Sequence, residues 1–238
     1  YAMEYLGGGV DLEKLVRNFG AQPWGRVVHV MSQACRALQE AHDQAIVHRD
    51  IKPANIILCE RGGEPDVVKV VDYGLAKEIK REGDLSTQVI VGTPAYVAPE
   101  AVTDPDRVGP PADLYALGGV GYFLLTGKRM FDGKTPVDLC VQHVTATPKR
   151  PSEHGIALPA ELDALIMKCL AKNPLDRPSS ARALADELRA LPPAPDWSDQ
   201  RARLWWEAQR KALATADSAA ETRSMQAVTM SIDLAGRR

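Results

Sequence analysis

The stretch that decides the fold assignment is HRDIKPAN, residues 48–55. It follows a long amphipathic helix predicted over 23–44, where apolar residues recur at helical spacing. Short β-type runs flank it at 46–47 and 56–58, and a third run at 67–71 follows a turn rich in glycine and proline. The motif is therefore predicted to lie in a loop between short strands.

Two further motifs follow in the same order along the chain. Asp72-Tyr73-Gly74 comes directly after the third β-type run, and GTPAYVAPE occupies residues 92–100. A long irregular segment, from Tyr73 to about Ala98, joins them, and loops of that length in a compact domain are usually functional or mobile. Each motif alone is weak, so the prediction depends on their joint order and spacing.

That order and spacing resemble the eukaryotic-type (Hanks-type) serine/threonine protein kinases, and the alanine- and arginine-rich composition favours a bacterial member. Asp113 resembles the family residue that holds the backbone N–H groups of the catalytic loop. Arg177 resembles the ion-pair partner of the glutamate that ends the third motif, here Glu100. The resemblance implies an α+β, mainly helical fold: the large C-terminal lobe of a protein kinase, with short β-strands at the catalytic cleft.

The resemblance also implies a phosphoryl-transfer site. Asp50 would accept or orient the proton of the substrate hydroxyl, and Lys52 would steady the γ-phosphate as a point charge. Thr93 would meet both through its hydroxyl, and Lys52 with Thr93 is typical of serine/threonine rather than tyrosine kinases. Asn55 and Asp72 would bind Mg²⁺, because amide and carboxylate oxygens are hard ligands.

An ATP site is implied at the start of the chain. Met3-Glu4-Tyr5-Leu6 matches the hinge of the family, with Met3 as gatekeeper and with the Glu4 carbonyl and the Leu6 N–H bonding the adenine edge. Ile57 would form part of the apolar floor, and Asp72 would hold the metal that bridges the phosphates. We therefore expect ATP and Mg²⁺ as cofactors.

Other groups that hold ATP in the family do not occur in these 238 residues. The chain opens at Tyr1 without an initiator methionine, and it has no glycine-rich phosphate loop, strand lysine or helix glutamate before the hinge. These groups are required together in active kinases. We expect a fragment that begins inside a domain, lacks the N-terminal lobe and is inactive by itself.

The predicted organisation has four parts: a hinge segment at 1–9, the kinase C-lobe at 10–191, a proline linker with a tail helix at 192–216, and a disordered tail at 217–238. Within the lobe, periodicity and turn signals predict five more helical segments. They are 11–19, 111–126, 136–146, a segment around 162–170 that Asn173-Pro174 stops, and a last helix that Ser179 caps.

The tail carries three of the four tryptophans of the chain: Trp197, Trp205 and Trp206. A helix is predicted over 196–216, with Leu204, Trp205, Ala208 and Ala212 on one stripe. Packing against the back of the lobe or a neighbouring segment is the favoured interpretation, because tryptophans are seldom left in solvent. Docking of a partner through this helix is the alternative.

Composition limits the classes of binding partner and the cellular location that we expect. The net charge of −2, with both signs interspersed, gives no case for nucleic acid, and the longest apolar run, 114–127, is too short for a comfortable membrane span. The four scattered cysteines fit a reducing cytosol, so the expected location is cytoplasmic. Proteins that carry Ser or Thr are the expected substrates.

Several questions stay open from the sequence. A pseudokinase-like binding scaffold and a small-molecule phosphotransferase are the alternative functions, although the segment 92–100 serves protein substrates in the resembled family. Ser86 or Thr87 could carry a phosphate that faces Arg49. The histidines at 42, 143 and 154 are interpreted as ordinary surface or packed residues.

Overall fold

A helical body with a small antiparallel sheet at one edge makes up the described part of the chain. The structure is a computed structural model and describes residues 8–73 and 93–210. Strand β1 (Val10–Asp11) pairs with β2 (Ile56–Arg61), and β2 pairs with β3 (Glu64–Val70), both antiparallel. This architecture confirms the α+β, mainly helical prediction.

Eight α-helices lie within the described residues. Seven of them follow the predicted segments to within a few residues, whereas the short helix at 99–103 was not predicted. In chain order the eight helices are α1 (Leu12–Phe19), α2 (Trp24–Asp43), α3 (Pro99–Thr103), α4 (Pro110–Thr126), α5 (Pro136–Thr145), α6 (Ala160–Cys169), α7 (Ala181–Arg189) and α8 (199–210).

Helix α4 forms the centre of the core because it is apolar on nearly every side, as a fully buried helix must be. It packs against α2 and α6. Gly119 on α4 also allows a close approach of the third motif, since a Cβ there would lie 2.5 Å from Met130 and 3.2 Å from the Tyr96 ring. The central helix thereby supports residues 93–100 of the third motif, which we call the docking segment because the motif serves protein substrates in the resembled family.

Two local predictions are wrong. Ile46 and Val47 form no strand, because Ala45 adopts a positive φ of 58° and the Ile46 N–H turns back to the carbonyl of Ala41 at 2.9 Å. The cap of α7 is Ser180 rather than Ser179, since the Ser180 hydroxyl accepts from Ala183 N at 3.0 Å. Both errors concern residues next to a correctly predicted helix.

The buried stripe of the tail helix also differs from the prediction. Ala202 and Trp206 are buried, whereas Leu204 is 58% exposed and Ala208 is exposed. The stripe therefore runs through 202, 205, 206 and 209 at spacings of three and four residues. The hydrogen bond that the Trp206 indole donates to Asp66 fixes this rotation of the helix.

The tail is attached to the lobe by a cluster that we call the tryptophan clamp: Arg26, Asp66, Trp197, Trp205 and Trp206. The Asp66 carboxylate accepts from Nε and Nη2 of Arg26 at 3.0 and 2.7 Å. It also accepts from Nε1 of Trp197 at 3.0 Å and of Trp206 at 2.8 Å. The Arg26 guanidinium lies 4.4 Å from the Trp197 ring and 3.9 Å from the Trp205 ring.

The clamp provides hydrogen-bond partners for both members of a buried charge pair. The side chains of Arg26 and Asp66 are each 1% exposed, so their charges require paired and hydrogen-bonded partners. Burial lowers the pKa of Arg26, and the Asp66 carboxylate opposes that change. The linker lies close enough that a Cβ on Gly25 would meet Ala194 at 2.4 Å.

The clamp decides between the two interpretations of the tail. All three tail tryptophans contact Arg26 or Asp66 of the lobe, and Trp206 is buried. Packing on the lobe is confirmed, whereas docking of a partner through these tryptophans has no support, because the indole N–H groups of Trp197 and Trp206 and the ring of Trp205 make contacts within the chain.

Within the two described ranges, no helix combines the length and the apolar character that a membrane crossing needs.

Candidate active site

Asp50 is the centre of a hydrogen-bonded group that the first and third motifs supply. Lys52 Nζ donates to Asp50 Oδ2 at 2.6 Å, and Asn55 Nδ2 donates to the same oxygen at 3.1 Å. The backbone N–H and the hydroxyl of Thr93 both reach Asp50 Oδ1 at 3.2 Å. The four predicted catalytic residues therefore converge, although Thr93 contacts one oxygen and Lys52 the other.

The Asp50 carboxylate is also partly open to solvent. Its side chain is 23% exposed and that of Lys52 is 25% exposed, so both can be approached from outside. A carboxylate that holds donors on both oxygens and still faces the surface can accept a further proton-bearing group.

Asp113 binds the backbone of the loop that carries Asp50, as predicted. Its two carboxylate oxygens accept from His48 N and Arg49 N, each at 2.9 Å. Arg49 has a positive φ of 66°, a conformation that costs energy for a residue with a side chain and persists only where surrounding bonds impose it. Asp113 supplies such bonds from a fixed position, because it lies on the buried helix α4.

His42 adds a contact that the sequence interpretation missed. Its Nε2 lies 2.8 Å from Asp113 Oδ2, and its side chain is largely buried. His42 belongs to the last turn of α2, so this contact links α2, α4 and the catalytic loop. Helical periodicity shows only that position 42 faces inward, and it does not identify a polar partner 71 residues away.

Backbone bonds bring the second motif beside the first. The N–H of Val71 donates to the carbonyl of Asn55 at 3.0 Å, and His48 Nε2 lies 2.9 Å from the Val71 carbonyl. The rings of His48 and Tyr73 are 4.6 Å apart, and burial raises the pKa of Tyr73 to about 12. Asp72 is thereby fixed next to the catalytic loop rather than on the opposite side of the molecule.

The chemistry of Asn55 and Asp72 fits a divalent cation with oxygen ligands. Both hydrogen bonds of the Asn55 side chain within the described residues are donated by Nδ2, to the Asp50 carbonyl and Oδ2, which leaves the amide oxygen for a metal. Asp72 is exposed and has a positive φ of 65°. In the described part of the chain, no cluster of three or more His, Cys, Asp or Glu residues could hold a metal by itself.

The third motif is anchored at both ends. Thr93 bonds to Asp50, and Glu100 accepts from Nη1 and Nη2 of Arg177 at 2.6 and 2.7 Å. Between them, 94–96 forms a 3-10 turn that packs against α5. Arg177 is a fully buried side chain that also donates to three backbone carbonyls, those of Pro111, Ala171 and Lys172. The predicted Glu100–Arg177 pair is present.

The remaining predicted site residues fall in two groups. Ile57 is half-buried on β2, where it pairs with Asp11 and Lys69 across the sheet. The predicted hinge residues and phosphate sites lie outside the described residues: Met3, Glu4, Leu6, Ser86 and Thr87.

The Asp50 carboxylate binds Lys52, Asn55 and Thr93, and it lies next to Asp72 and the buried helix α4. This arrangement defines a protein kinase catalytic lobe. The sequence profile of the family described as "Protein kinase domain" matches residues 1–188, and the chain belongs to this family.

Curated relatives give the same family. The serine/threonine-protein kinase PknB of Mycobacterium tuberculosis is 39% identical over 188 residues, which cover 78% of this chain and 29% of PknB. The serine/threonine-protein kinase pkn3 of Myxococcus xanthus is 37% identical over 196 residues, 80% of this chain and 36% of pkn3. The chain thus spans about a third of the length of these relatives.

A solved structure supports the fold. The crystal structure of Rad53 1-466 in complex with AMP-PNP superimposes with a TM-score of 0.63 at 29% identity, covering 78% of this chain and 45% of the Rad53 1-466 chain. The relatives and the fold together make this a bacterial-type member of the eukaryotic-type serine/threonine kinases.

Proposed function

We propose that the chain is the catalytic lobe of a serine/threonine protein kinase that transfers the γ-phosphate of ATP to Ser and Thr hydroxyls of proteins. The observation that carries this proposal is the arrangement around Asp50, where Lys52, Asn55 and Thr93 converge on one accessible carboxylate. Phosphoryl transfer requires positioning and electrostatic stabilisation more than covalent chemistry, and this arrangement supplies both.

Asp50 is proposed to receive the substrate hydroxyl. Its Oδ1 faces Thr93 of the docking segment and its Oδ2 faces Lys52, so a hydroxyl that reaches this carboxylate lies beside a cation. The carboxylate would orient the hydroxyl and take its proton as the bond from the hydroxyl oxygen to the γ-phosphorus forms and the bond from that phosphorus to the β-phosphate oxygen breaks, with ADP as the leaving group. Lys52 would stabilise negative charge on the phosphoryl oxygens. Thr93 fixes the acceptor segment relative to the base.

ATP with Mg²⁺ is the proposed cofactor. Asn55, through its amide oxygen, and Asp72, through its carboxylate, would hold Mg²⁺, which neutralises charge on the phosphates. Ile57, Met3, Glu4 and Leu6 are proposed to form the adenine site. The family match and the AMP-PNP complex of Rad53 support a nucleotide site of this kind.

We also propose that this kinase acts on protein substrates and that it is located in the cytoplasm. The docking segment supports protein substrates, because it is fixed at Asp50 through Thr93 and at Arg177 through Glu100. A segment fixed at both ends can present a constant surface to a polypeptide that carries the hydroxyl.

We further propose that a polypeptide of these 238 residues alone transfers no phosphate, since it contains no glycine-rich loop, strand lysine or helix glutamate before Met3. The test compares this polypeptide with a chimera in which the small lobe of a related kinase precedes Tyr1. Radiolabelled ATP and a mixed protein substrate, followed by phosphoamino acid analysis, give the result.

We expect phosphoserine and phosphothreonine from the chimera and none from the polypeptide alone. Phosphotyrosine as the main product would contradict the assigned specificity, and turnover by the polypeptide alone would contradict the proposed need for a small lobe.

A further inference from the structure

Lys172 joins two parts of the molecule that contact the docking segment. It follows α6 and is half-buried. Its Nζ donates to the carbonyl of His143, in the last turn of α5, at 2.6 Å. Its own carbonyl accepts from Nη2 of Arg177 at 3.2 Å, and the same Nη2 donates to Glu100 at 2.7 Å. Lys172 thus contacts α5 through its side chain and the Glu100–Arg177 pair through its backbone.

The side-chain contact of Lys172 satisfies the C-terminal end of α5. The last four carbonyls of a helix have no partner within the helix. At this end of α5, the Ala146 N–H donates to the carbonyl of Gln142 at 2.8 Å, and the next carbonyl, that of His143, accepts from Lys172. A cation at the C-terminal end also interacts favourably with the helix dipole. Lys172 therefore fixes the end of α5.

Aromatic rings surround the ammonium of Lys172. Its Nζ lies 5.1 Å from the centroid of the Phe131 ring and 6.0 Å from that of the Tyr115 ring. The face of an aromatic ring attracts a cation at such distances. Burial and, secondly, the Arg177 guanidinium lower the pKa of Lys172 to about 8, which leaves the amine mostly charged at pH 7. The contact to α5 is therefore made by a cation whose position is restricted on several sides.

Helix α5 in turn packs against the docking segment. It contacts the 3-10 turn 94–96 and helix α3, which begins within the segment. A shift of the end of α5 would therefore change the shape of the segment between its two anchors, Thr93 and Glu100. The bonds from Thr93 to Asp50 do not involve α5, so they would remain.

We propose that Lys172 is a positioning residue for protein substrates: its ammonium fixes α5 against the docking segment and thereby sets the surface to which a polypeptide binds. This inference rests on the proposed function. The hydrogen bonds of Lys172 are to His143 and Arg177 rather than to Asp50 or Lys52. Lys172 therefore acts on the binding of the peptide and not on the chemical step.

The chain offers a matched control. Lys172→Met removes the ammonium, keeps an apolar side chain of similar length against the aromatic rings, and leaves the backbone carbonyl that binds Arg177. Lys172→Arg keeps a cation that can reach the same carbonyl of α5. Lys168 lies on α6, four residues earlier, and donates to Glu187 at 2.8 Å. Lys168→Met therefore removes an ammonium bond of similar length that does not involve α5 or the docking segment.

The first experiment measures amide hydrogen exchange in the 238-residue chain at pH 7 and requires no catalytic activity. Two amides report separately: that of Ala146 at the end of α5, and that of Tyr96, which donates to the Thr93 carbonyl at 3.0 Å within the docking segment. We expect Lys172→Met to speed exchange about ten-fold at Ala146, the equivalent of one lost hydrogen bond, and about three- to five-fold at Tyr96. Lys172→Arg should restore both rates, and Lys168→Met should change neither.

The second experiment uses the chimera with a small lobe. We expect Lys172→Met to raise KM for a peptide substrate about three- to five-fold and to leave kcat and KM for ATP unchanged, because only binding of the peptide is weakened. Lys172→Arg should bring the peptide KM back to that of the unsubstituted chimera, and Lys168→Met should leave it unchanged. Lys172→Gln, a second neutral variant, repeats both measurements and is expected to behave like Lys172→Met.

Three results would overturn the positioning role. Faster exchange at Ala146 alone would show that Lys172 only caps α5, and unchanged exchange at both amides would show no role at all. A fall in kcat with an unchanged peptide KM would place the effect on the chemical step. Loss of folding in both neutral variants would also overturn it, since Lys172 would then hold the whole lobe together. Failure of the proposed function is distinguishable, because the unsubstituted chimera would then be inactive while hydrogen exchange still reports on Lys172.

Discussion

Two aspartates of this chain each gather several donors, and they have opposite roles in the molecule. Asp50 accepts from Lys52, Asn55 and Thr93 while its side chain stays 23% exposed. Asp66 accepts from Arg26, Trp197 and Trp206 while its side chain is 1% exposed. The number of donors therefore does not distinguish a reactive carboxylate from a structural one.

The difference lies in access and in the partner cation. Lys52 is a compact ammonium on a flexible stem that is 25% exposed, so it can turn from Asp50 toward a phosphate. The Arg26 guanidinium packs against two indole rings and binds Asp66 through two nitrogens. An open carboxylate with a movable cation can exchange its partner for a substrate, whereas a sealed carboxylate can only hold the fold together.

Removal of the charge at the sealed site should have the largest effect on stability. Asp66→Asn leaves the Arg26 guanidinium buried without a counter-ion, which costs about 3–5 kcal/mol. Urea denaturation monitored by tryptophan fluorescence measures this loss. Asp186→Asn, at an exposed position of α7, serves as the control and should change the free energy of unfolding by less than about 0.5 kcal/mol. Equal small losses in both variants would show that the clamp does not stabilise the lobe.

Loss of a single donor from the same carboxylate should cost less. Trp206→Phe removes the 2.8 Å bond from the indole N–H to Asp66 and is expected to cost about 1.5–3 kcal/mol, the range for hydrogen bonds to charged groups. Trp24→Phe is the matched variant, because Trp24 packs against the core without a bond to Asp66. If both substitutions cost the same, the indole N–H bond adds nothing beyond apolar burial.

Acid should destabilise the lobe through His143. Its folded pKa of about 4 lies below the ordinary value of 6.5, so the unfolded chain binds the proton first. The contribution of this group is complete above pH 6.5 and is lost as the pH falls from 6.5 toward about 4. Denaturation midpoints measured across this window should fall less steeply for His143→Phe than for the unsubstituted chain. Parallel pH profiles would contradict the assignment.

The smallest effect tests the rotation of the tail helix. Leu204 is 58% exposed, so Leu204→Ala should change the free energy of unfolding by no more than about 0.5 kcal/mol. A buried leucine in the stripe first predicted from the sequence would cost about 2–5 kcal/mol instead. The same urea denaturation distinguishes these two outcomes.

The sequence predicted the open site far better than the sealed one. Asp50, Lys52 and Asn55 lie in one short motif, and Asp113 and Arg177 follow at positions typical of one family. The expected contacts of Asp113 with the loop N–H groups and of Arg177 with Glu100 occur, whereas the Thr93 hydroxyl, expected to meet both Asp50 and Lys52, is bonded to Asp50. Helix bounds followed from periodicity, because burial of one helical face constrains residue types at regular spacing.

The tryptophan clamp could not be predicted because Trp197 and Trp206 are separated from Asp66 by 131 and 140 residues and share no local pattern with it. Asp66 follows a glycine–proline turn and reads as an ordinary loop residue, yet it is buried with a positive φ of 54°. The stripe of α8 was assigned from apolar residues, whereas the indole N–H of Trp206, which donates to the Asp66 carboxylate, determines its rotation. Specific polar pairing of this kind is visible only in three dimensions.

The measurement that tests the account most directly is turnover of the small-lobe chimera with Asp50→Asn beside Asp66→Asn, each corrected for the folded fraction. We expect Asp50→Asn to lower phosphate transfer to Ser and Thr about 100- to 10,000-fold with an unchanged melting temperature. Asp66→Asn should lower the melting temperature while turnover per folded molecule stays near that of the unsubstituted chimera. Unchanged turnover in folded Asp50→Asn would contradict the assignment of this carboxylate as the catalytic group.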